Sequence, residues 1–140
     1  MECIYIPELT VEHDEIDVPQ QEEQHVKALR LNSGDQILAV NGKGLECLCE
    51  IRFKDKHASL NIFGKADTFP PKYITLAFGM ILDRDRMEYL IEKCTEIGVS
   101  EFQPLITKHS QRKKFKTERF TKKAIAAMKQ SGRAILPKIN

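Results

Sequence analysis

The chain has no hydrophobic run long enough to cross a membrane, since its apolar stretches fall short of the roughly 20 residues that a transmembrane helix needs. The N-terminus is acidic early and has no basic segment followed by an apolar core, so the sequence predicts no signal peptide. The seven glycines form neither a GxGxxG motif nor a P-loop. These absences favour a cytoplasmic protein with no membrane partner and with no cofactor loop of its own.

The cysteines are few and do not form a CxxC pair; they are Cys3, Cys47, Cys49 and Cys94. Cys47 and Cys49 would face the same side of a strand, so one interpretation is a metal or redox site. The alternative, favoured by the spacing rules, is small reduced core residues in a cytosolic protein. His25 has no second histidine or cysteine at zinc spacing, so the sequence predicts no metal site.

Acidic residues are almost missing from the last third of the chain. Between Lys108 and Asn140 there are eleven lysines or arginines and one acid, Glu118. Residues 1–70 carry thirteen acids against seven bases, a net charge of −6, and residues 71–140 carry fifteen bases against seven acids, a net charge of +8. This asymmetry indicates a directional electrostatic partner, for which nucleic acid is the leading candidate.

Residues 1–70 read as short strands separated by turns. Alternating apolar and polar residues predict two strands, Leu45–Phe53 and Ala58–Phe63, and the segment Gln36–Val40 is a further strand candidate. Asn41-Gly42 is a hairpin signal, and one short helix is predicted within Gln20–Leu31. The pattern is typical of a small antiparallel barrel.

The prolines of Thr68-Phe-Pro-Pro71 predict a boundary, with one domain over 1–70 and another over 71–140. The near-continuous apolar run over 73–80 predicts a strand covered on both faces. The run over 99–107 predicts a second strand. With a helix after each strand, the β-α-β-α order predicts a parallel sheet and a mixed, α+β fold overall. Two strands make a poor core, so we expect the chain to be cut in mid-fold.

Each predicted helix has recognisable ends. Asp83 or Asp85 would cap the first helix, and Gly98 would end it. Its apolar stripe comprises Met87, Leu90, Ile91 and Cys94. Thr117 would cap the second helix, which would run to about Ser131 and stop at Gly132.

The second helix has a cationic face beside an apolar face. Its cations are Arg119, Lys122, Lys123, Lys129 and Arg133. The preceding loop adds further candidate RNA-binding residues, Lys108, Ser110, Arg112, Lys113, Lys114 and Lys116. Such a surface can be merely solvated, but the near-absence of acids favours binding to phosphates.

Glu92 and Glu96 form a carboxylate pair near the end of the first helix. One interpretation is that the pair acts in general acid–base catalysis. The favoured alternative is that both acids are solvated surface residues, because two acids spaced by four residues are common on helices. The catalytic residues therefore stay unassigned.

Several motifs follow one another in a fixed order along nearly the whole chain. They are His25-Val-Lys-Ala-Leu-Arg30, Gly34-Asp35, Asp85-Arg-Met-Glu-Tyr-Leu-Ile-Glu-Lys-Cys-Thr-Glu-Ile-Gly-Val99, Pro104, Thr107-Lys-His-Ser110, Arg119-Phe120, Met128-Lys-Gln-Ser-Gly-Arg133 and Leu136-Pro137. In these motifs the chain resembles the N-terminal portion of the RsmE family, the methyltransferases that modify uridine N3 in 16S ribosomal RNA.

The resemblance implies an RNA-binding, PUA-like β-barrel over 1–70 and the incomplete first part of a SPOUT α/β domain over 71–140. In the family, a knotted segment binds S-adenosylmethionine and forms a homodimer. The resemblance places the knot and the cofactor site beyond Asn140 and implies no metal. The present chain would therefore bind 16S rRNA or the small ribosomal subunit but would be inactive on its own.

The resemblance also implies roles for single residues. His25 and Arg30 would contact RNA or the domain junction, and Gln130 and Arg133 would approach the RNA or the catalytic pocket. Lys129 stands where the family often has an acid, which adds charge to the basic surface.

Two rival hypotheses remain. The chain could be a non-catalytic RNA-binding module made of the barrel and the basic helix. It could also be a protein-interaction domain whose basic face meets an acidic protein.

Overall fold

The structure, a computed structural model, describes residues 1–111 and 114–140. Internal contacts divide the chain into two compact units, Met1–Phe69 and Pro70–Asn140. Two predicted RNA-binding residues, Arg112 and Lys113, lie outside the described residues.

The first unit contains one five-stranded sheet and one helix. Its elements are β1 (Cys3–Tyr5), β2 (Glu15–Asp17), α1 (Gln20–Ala28), β3 (Gln36–Val40), β4 (Leu45–Lys54) and β5 (His57–Asp67). The strand order is β1-β3-β4-β5-β2. The three predicted strands are confirmed as β3, β4 and β5, although β5 runs on past Phe63 to Asp67. The predicted helix is confirmed as α1 but ends at Ala28.

The hairpin between β3 and β4 turns where the sequence predicts. Gly42 and Gly44 have φ of 74° and 108°, which is the left-handed region that side chains other than glycine rarely adopt. The amide group of Asn41 holds the turn, because its oxygen accepts hydrogen bonds from the backbone N–H of Lys43 at 2.8 Å and of Leu45 at 3.1 Å.

The antiparallel pairing predicted from the sequence is confirmed for β3, β4 and β5, but β1 departs from it. β1 pairs with β3 in parallel, with Cys3 opposite Leu38 and Tyr5 opposite Val40. Parallel neighbours need a crossover of a dozen or more residues, and the long stretch from Ile6 to Asp35, which contains β2 and α1, supplies it. The other pairs, β2–β5, β3–β4 and β4–β5, are antiparallel.

The core of this unit forms on one side of β4. Cys47, Cys49 and Ile51 alternate along β4 and are each 0% exposed, and Val26 brings α1 into the same cluster. All four cysteines are free thiols, and burial raises the pKa of Cys49 to about 12. Cys47 and Cys49 are therefore packing residues, as the second of the two interpretations predicts.

The second unit is a three-stranded parallel sheet with two crossover helices. Its elements are β6 (Thr75–Gly79), α2 (Arg84–Ile97), β7 (Glu101–Leu105), α3 (Thr117–Gln130) and β8 (Lys138–Ile139), and the strand order is β6-β7-β8. Both strand pairs are parallel, which confirms the predicted sheet. The prediction of two strands missed β8, which is only two residues long.

β6 is not covered on both faces by the described residues. Leu76 and Phe78 pack against the buried cluster of α2 and α3, whereas Thr75, Ala77 and Gly79 are exposed. The apolar run thus misled the prediction, because within the described residues the helices bury one face of the strand.

The helix ends decide between the predicted caps. Asp83 is the N-cap of α2, and its carboxylate accepts a hydrogen bond from the backbone N–H of Arg86 at 3.1 Å. Gly98 ends α2 with φ of 95°. The prediction that Thr117 caps α3 is wrong, because Thr117 is already helical and Lys116 occupies the N-cap position. Among the residues that the structure describes, no helix is both long and apolar enough to span a bilayer.

Candidate nucleic-acid interface

Helix α3 buries the apolar face that the sequence predicts. Phe120, Ala124, Ala127 and Met128 are its buried residues, and α3 packs against α2. The predicted cations of α3 and its preceding loop do not form one uniform surface, because the structure gives them different partners.

Three of these cations reach acceptors on α2, and we call Arg119, Lys123 and Arg133 the bridging set. Arg119 forms an ion pair with Glu88. The Nζ of Lys123 lies 2.8 Å from Oε2 of Glu92. These contacts tie α3 to α2, so two predicted RNA-binding residues already have acidic partners within their own unit.

Glu92 lies between two lysines. Its carboxylate is 2.8 Å from Lys123 Nζ and 3.0 Å from Lys93 Nζ. Hydrogen bonds from Lys123 and then Lys93 lower the pKa of Glu92, and the hydrogen bond to Glu92 raises the pKa of each lysine. Lys93 also pairs with Glu96 at 3.2 Å. A carboxylate with a lowered pKa is a weak base at neutral pH, so the geometry favours a structural role over acid–base work.

Arg133 closes the end of α2. Its Nε donates a hydrogen bond to the carbonyl oxygen of Glu96 at 2.7 Å. The guanidinium also covers Gly98, with Nη1 lying 2.9 Å from the position that a Cβ would take there. The two motifs ending at Val99 and at Arg133 therefore meet in space, and Arg133 supplies a partner for a carbonyl at the end of the helix.

Another group of predicted cations is exposed, and within the described part of the chain it makes no ion pair. We call this the open set; its members are Lys108, Lys114, Lys116 and Lys122. Lys129 is half-buried, and Gln130 is exposed near the end of α3. Ser110 closes a local turn, because its Oγ accepts a hydrogen bond from the backbone N–H of Thr107 at 2.8 Å.

The start of α3 lines an open groove of about 660 Å³. Its lining residues are Arg84, Lys114, Phe115, Lys116, Arg119 and Phe120. Arg84, the first residue of α2, was missed by the sequence analysis because it stands among Asp83, Asp85 and Arg86, where the charges alternate in sign. Its place at the start of a helix next to a predicted strand end was the signal that could have found it.

His25 and Arg30 belong to the first unit. His25 is half-buried in the last turn of α1, and Arg30 is exposed just after the helix. Arg30 has φ of 52°, a left-handed conformation that is uncommon for a residue other than glycine. Both side chains thus lie near the C-terminal end of α1.

Comparison with known families identifies the class of protein. Residues 69–140 match a family model described as an RNA methyltransferase domain. Residues 24–63 match a model described as an RNA methyltransferase PUA domain. Both units therefore match domains that occur in RNA methyltransferases.

Named relatives narrow the class to a family. Ribosomal RNA small subunit methyltransferase E of Aquifex aeolicus is 34% identical over 120 residues, which cover 81% of this chain and 52% of the relative. The Bacillus subtilis protein of the same name is 34% identical over 129 residues, which cover 84% of this chain and 50% of the relative. The chain belongs to the RsmE family, as the resemblance predicts, and it spans about half the length of these relatives.

A solved structure matches the whole chain. Ribosomal RNA small subunit methyltransferase E from Neisseria gonorrhoeae, crystallised bound to S-adenosyl methionine, has a TM-score of 0.89 and 28% identity. The match covers 100% of this chain and 60% of that one. The likeness therefore extends over both units.

Proposed function

We propose that the protein takes part in S-adenosylmethionine-dependent methylation of uridine N3 in 16S ribosomal RNA, and that these 140 residues supply RNA binding. Membership of the RsmE family over both units carries the proposal. The charge of the second half supports it, because a net +8 over residues 71–140 suits a polyanionic partner.

The same membership supports finer proposals about architecture. The first unit would be a PUA-like β-barrel and the second the start of a knotted SPOUT domain, divided near residue 70. The full-length protein would be a cytoplasmic homodimer. His25 and Arg30 of the first unit and the open set of the second would contact the rRNA.

The groove at the start of α3 does not suit the methyl donor. S-adenosylmethionine carries a positive sulfonium, whereas the groove at the start of α3 is lined by four cations and two phenylalanines. Placing a further cation there would cost free energy, because like charges repel. Because the chain spans about half the length of its RsmE relatives, we assign cofactor binding to residues outside these 140, and we expect the chain on its own to be inactive.

The reaction is tested with the full-length natural protein. It is incubated with S-adenosylmethionine and small-subunit rRNA, and the digested nucleosides are analysed by mass spectrometry. The expected product is N3-methyluridine. Absence of methylated nucleoside, or a methyl group on another base, would overturn the assignment of the reaction.

The cofactor assignment has a separate test on the 140-residue chain. Isothermal titration with S-adenosylmethionine should give no binding heat. A measurable affinity would show that these residues hold the donor after all.

A second candidate function is a non-catalytic RNA-binding module, which the cationic groove and the poor fit to the donor favour. It would bind rRNA fragments without methylating them even as a full-length protein. If binding had a log–log salt slope near zero, neither RNA function would hold, and an acidic protein partner would be indicated instead.

A further inference from the structure

We propose that the groove at the start of α2 and α3 binds a single-stranded segment of RNA, with Arg84, Lys114 and Lys116 contacting phosphates and Phe115 stacking on a base. This inference rests on the proposed RNA-binding function and deepens it by locating the contact. It also distinguishes these three exposed cations from the bridging set, whose Arg119 lines the same groove but is paired with Glu88.

The charges of the groove point to a phosphate-bearing ligand. None of its described lining residues is acidic, and four of the six are cations. Arg119 is committed to Glu88, which leaves Arg84, Lys114 and Lys116 exposed and, within the described residues, without ion pairs. Three such cations around one concavity can replace the counterions of neighbouring phosphates, which favours association.

The two phenylalanines of the groove indicate that the ligand has a nucleobase as well as phosphates. Phe115 and Phe120 stack with ring centroids 5.9 Å apart and an interplanar angle of 27°. Phe120 is 3% exposed and anchored in the core, so it backs the half-buried ring of Phe115. A ring held in place loses little conformational freedom when a base stacks on it.

The size and composition of the groove favour nucleic acid over an acidic peptide. Its volume of about 660 Å³ lies within the roughly 300–1,000 Å³ of small-ligand sites. An acidic peptide would use the cations and leave the aromatic ring without a partner. Single-stranded RNA uses both, because every nucleotide joins an anion to a flat π-face.

The first experiment counts phosphate contacts on the 140-residue chain. Fluorescence anisotropy measures its binding to a short fluorescein-labelled oligouridylate across a KCl series. Each phosphate contact on a single strand contributes about 0.7 to the log–log slope. Lys114→Ala with Lys116→Ala should therefore make the slope shallower by about 1.4, and Arg84→Ala by about 0.7.

A matched control removes the same charge elsewhere. Lys54→Ala with Lys56→Ala changes two exposed lysines at the β4–β5 hairpin of the first unit. This variant should keep the wild-type slope. Circular dichroism melting of every variant checks that each remains folded.

The second experiment tests stacking. Wild-type protein should bind the oligouridylate at least about fivefold more tightly than an oligomer of the same length with abasic sugars, given the usual contribution of base–aromatic stacking. Phe115→Leu keeps an apolar side chain in the core but removes the ring. It should abolish the preference for the oligomer with bases.

The outcomes separate the two proposals. If wild-type protein shows no salt-dependent RNA binding, both the RNA function and the groove assignment fail. If it binds RNA but the groove variants keep both slope and base preference, the groove assignment alone is overturned. If polyglutamate competes as well as unlabelled RNA and abasic oligomers bind equally, the groove is a site for acidic protein.

Discussion

Replacing Gly98 with alanine tests whether Arg133 closes α2. Gly98 has φ of 95°, where a β-carbon costs roughly 1–2 kcal/mol. The new methyl group would also lie 2.9 Å from Nη1 of Arg133, so the guanidinium would have to move. Moving it breaks the hydrogen bond from Arg133 to the Glu96 carbonyl, which at this exposed site adds about 0.5–1 kcal/mol. We expect Gly98→Ala to destabilise the end of α2 by about 1.5–3 kcal/mol.

Hydrogen–deuterium exchange of the α2 amides is the appropriate assay, because exchange reports the local free energy of opening at each amide. Gly34→Ala is the matched control. Gly34 has φ of 98° but no atom within 4 Å of the added carbon, so its replacement carries the backbone cost alone. Its own neighbouring amides should lose about 1–2 kcal/mol.

A double-mutant cycle isolates the guanidinium. In an Arg133→Ala background the alanine at position 98 no longer meets the guanidinium, so the second substitution should cost about 0.5–1 kcal/mol less than it does in wild-type protein. If Gly98→Ala costs no more than Gly34→Ala and the cycle is additive, Arg133 does not cover Gly98, and its structural role is refuted. Arg133→Ala should also leave the log–log salt slope of RNA binding unchanged. A slope shallower by about 0.7 would show that Arg133 contacts an RNA phosphate.

Three further predictions concern the ion pairs and the core. Hydrogen bonds from Lys123 and Lys93 lower the folded-state pKa of Glu92, so the ionised Glu92 stabilises the fold above the ordinary carboxyl pKa, and this stabilisation is lost on acidification below about pH 4.5. In Glu92→Gln the melting temperature should therefore depend less on pH below about pH 4.5 than it does in wild-type protein. Reversing Arg119 and Lys123 to glutamate should destabilise α2 and α3 in amide exchange, and the compensating swap of Glu88 to arginine and Glu92 to lysine should restore protection. An unchanged exchange pattern would show that these pairs do not bridge the helices. Burial and a pKa of about 12 should keep Cys49 unreactive towards a thiol reagent at pH 8 until urea is added; rapid labelling of the folded chain would contradict its burial.

The sequence predicted those elements whose signals are local. The strand β4 alternates in burial from Leu45 to Ile51 and α2 has a continuous apolar stripe, so each could be recognised without its neighbours. The strands β1, β2 and β8 have three, three and two residues, which is too short for any periodicity to emerge. They exist because longer strands offer them hydrogen-bonding edges, and that is a property of the folded sheet.

The sequence predicted which cations belong to the candidate site, but not which of them bridge to α2 and which stay unpaired among the described residues. A helical wheel of α3 alone places Arg119 and Lys123 on its cationic face, as if all its cations faced solvent. Their spacing of four residues matches that of Glu88 and Glu92 on α2, and the two helices pack together. The matching spacing was visible in the sequence, but only tertiary packing showed that the two helices face each other.

The pairing of some cations with acids means that the net charge of the second unit is a poor guide to where a phosphate is attracted. Along the packed helices, Glu88, Glu92 and Glu96 stand against three cations, Lys93, Arg119 and Lys123. At physiological salt the Debye length is about 8 Å, so an approaching phosphate senses mainly the charges close to it. An ion pair with a 2.8 Å separation is nearly neutral at that range. The groove is not neutral, because three of its cations are exposed and form no ion pair with the described residues. Attraction of phosphates should therefore be concentrated at the groove, even though the bridging cations contribute equally to the total charge.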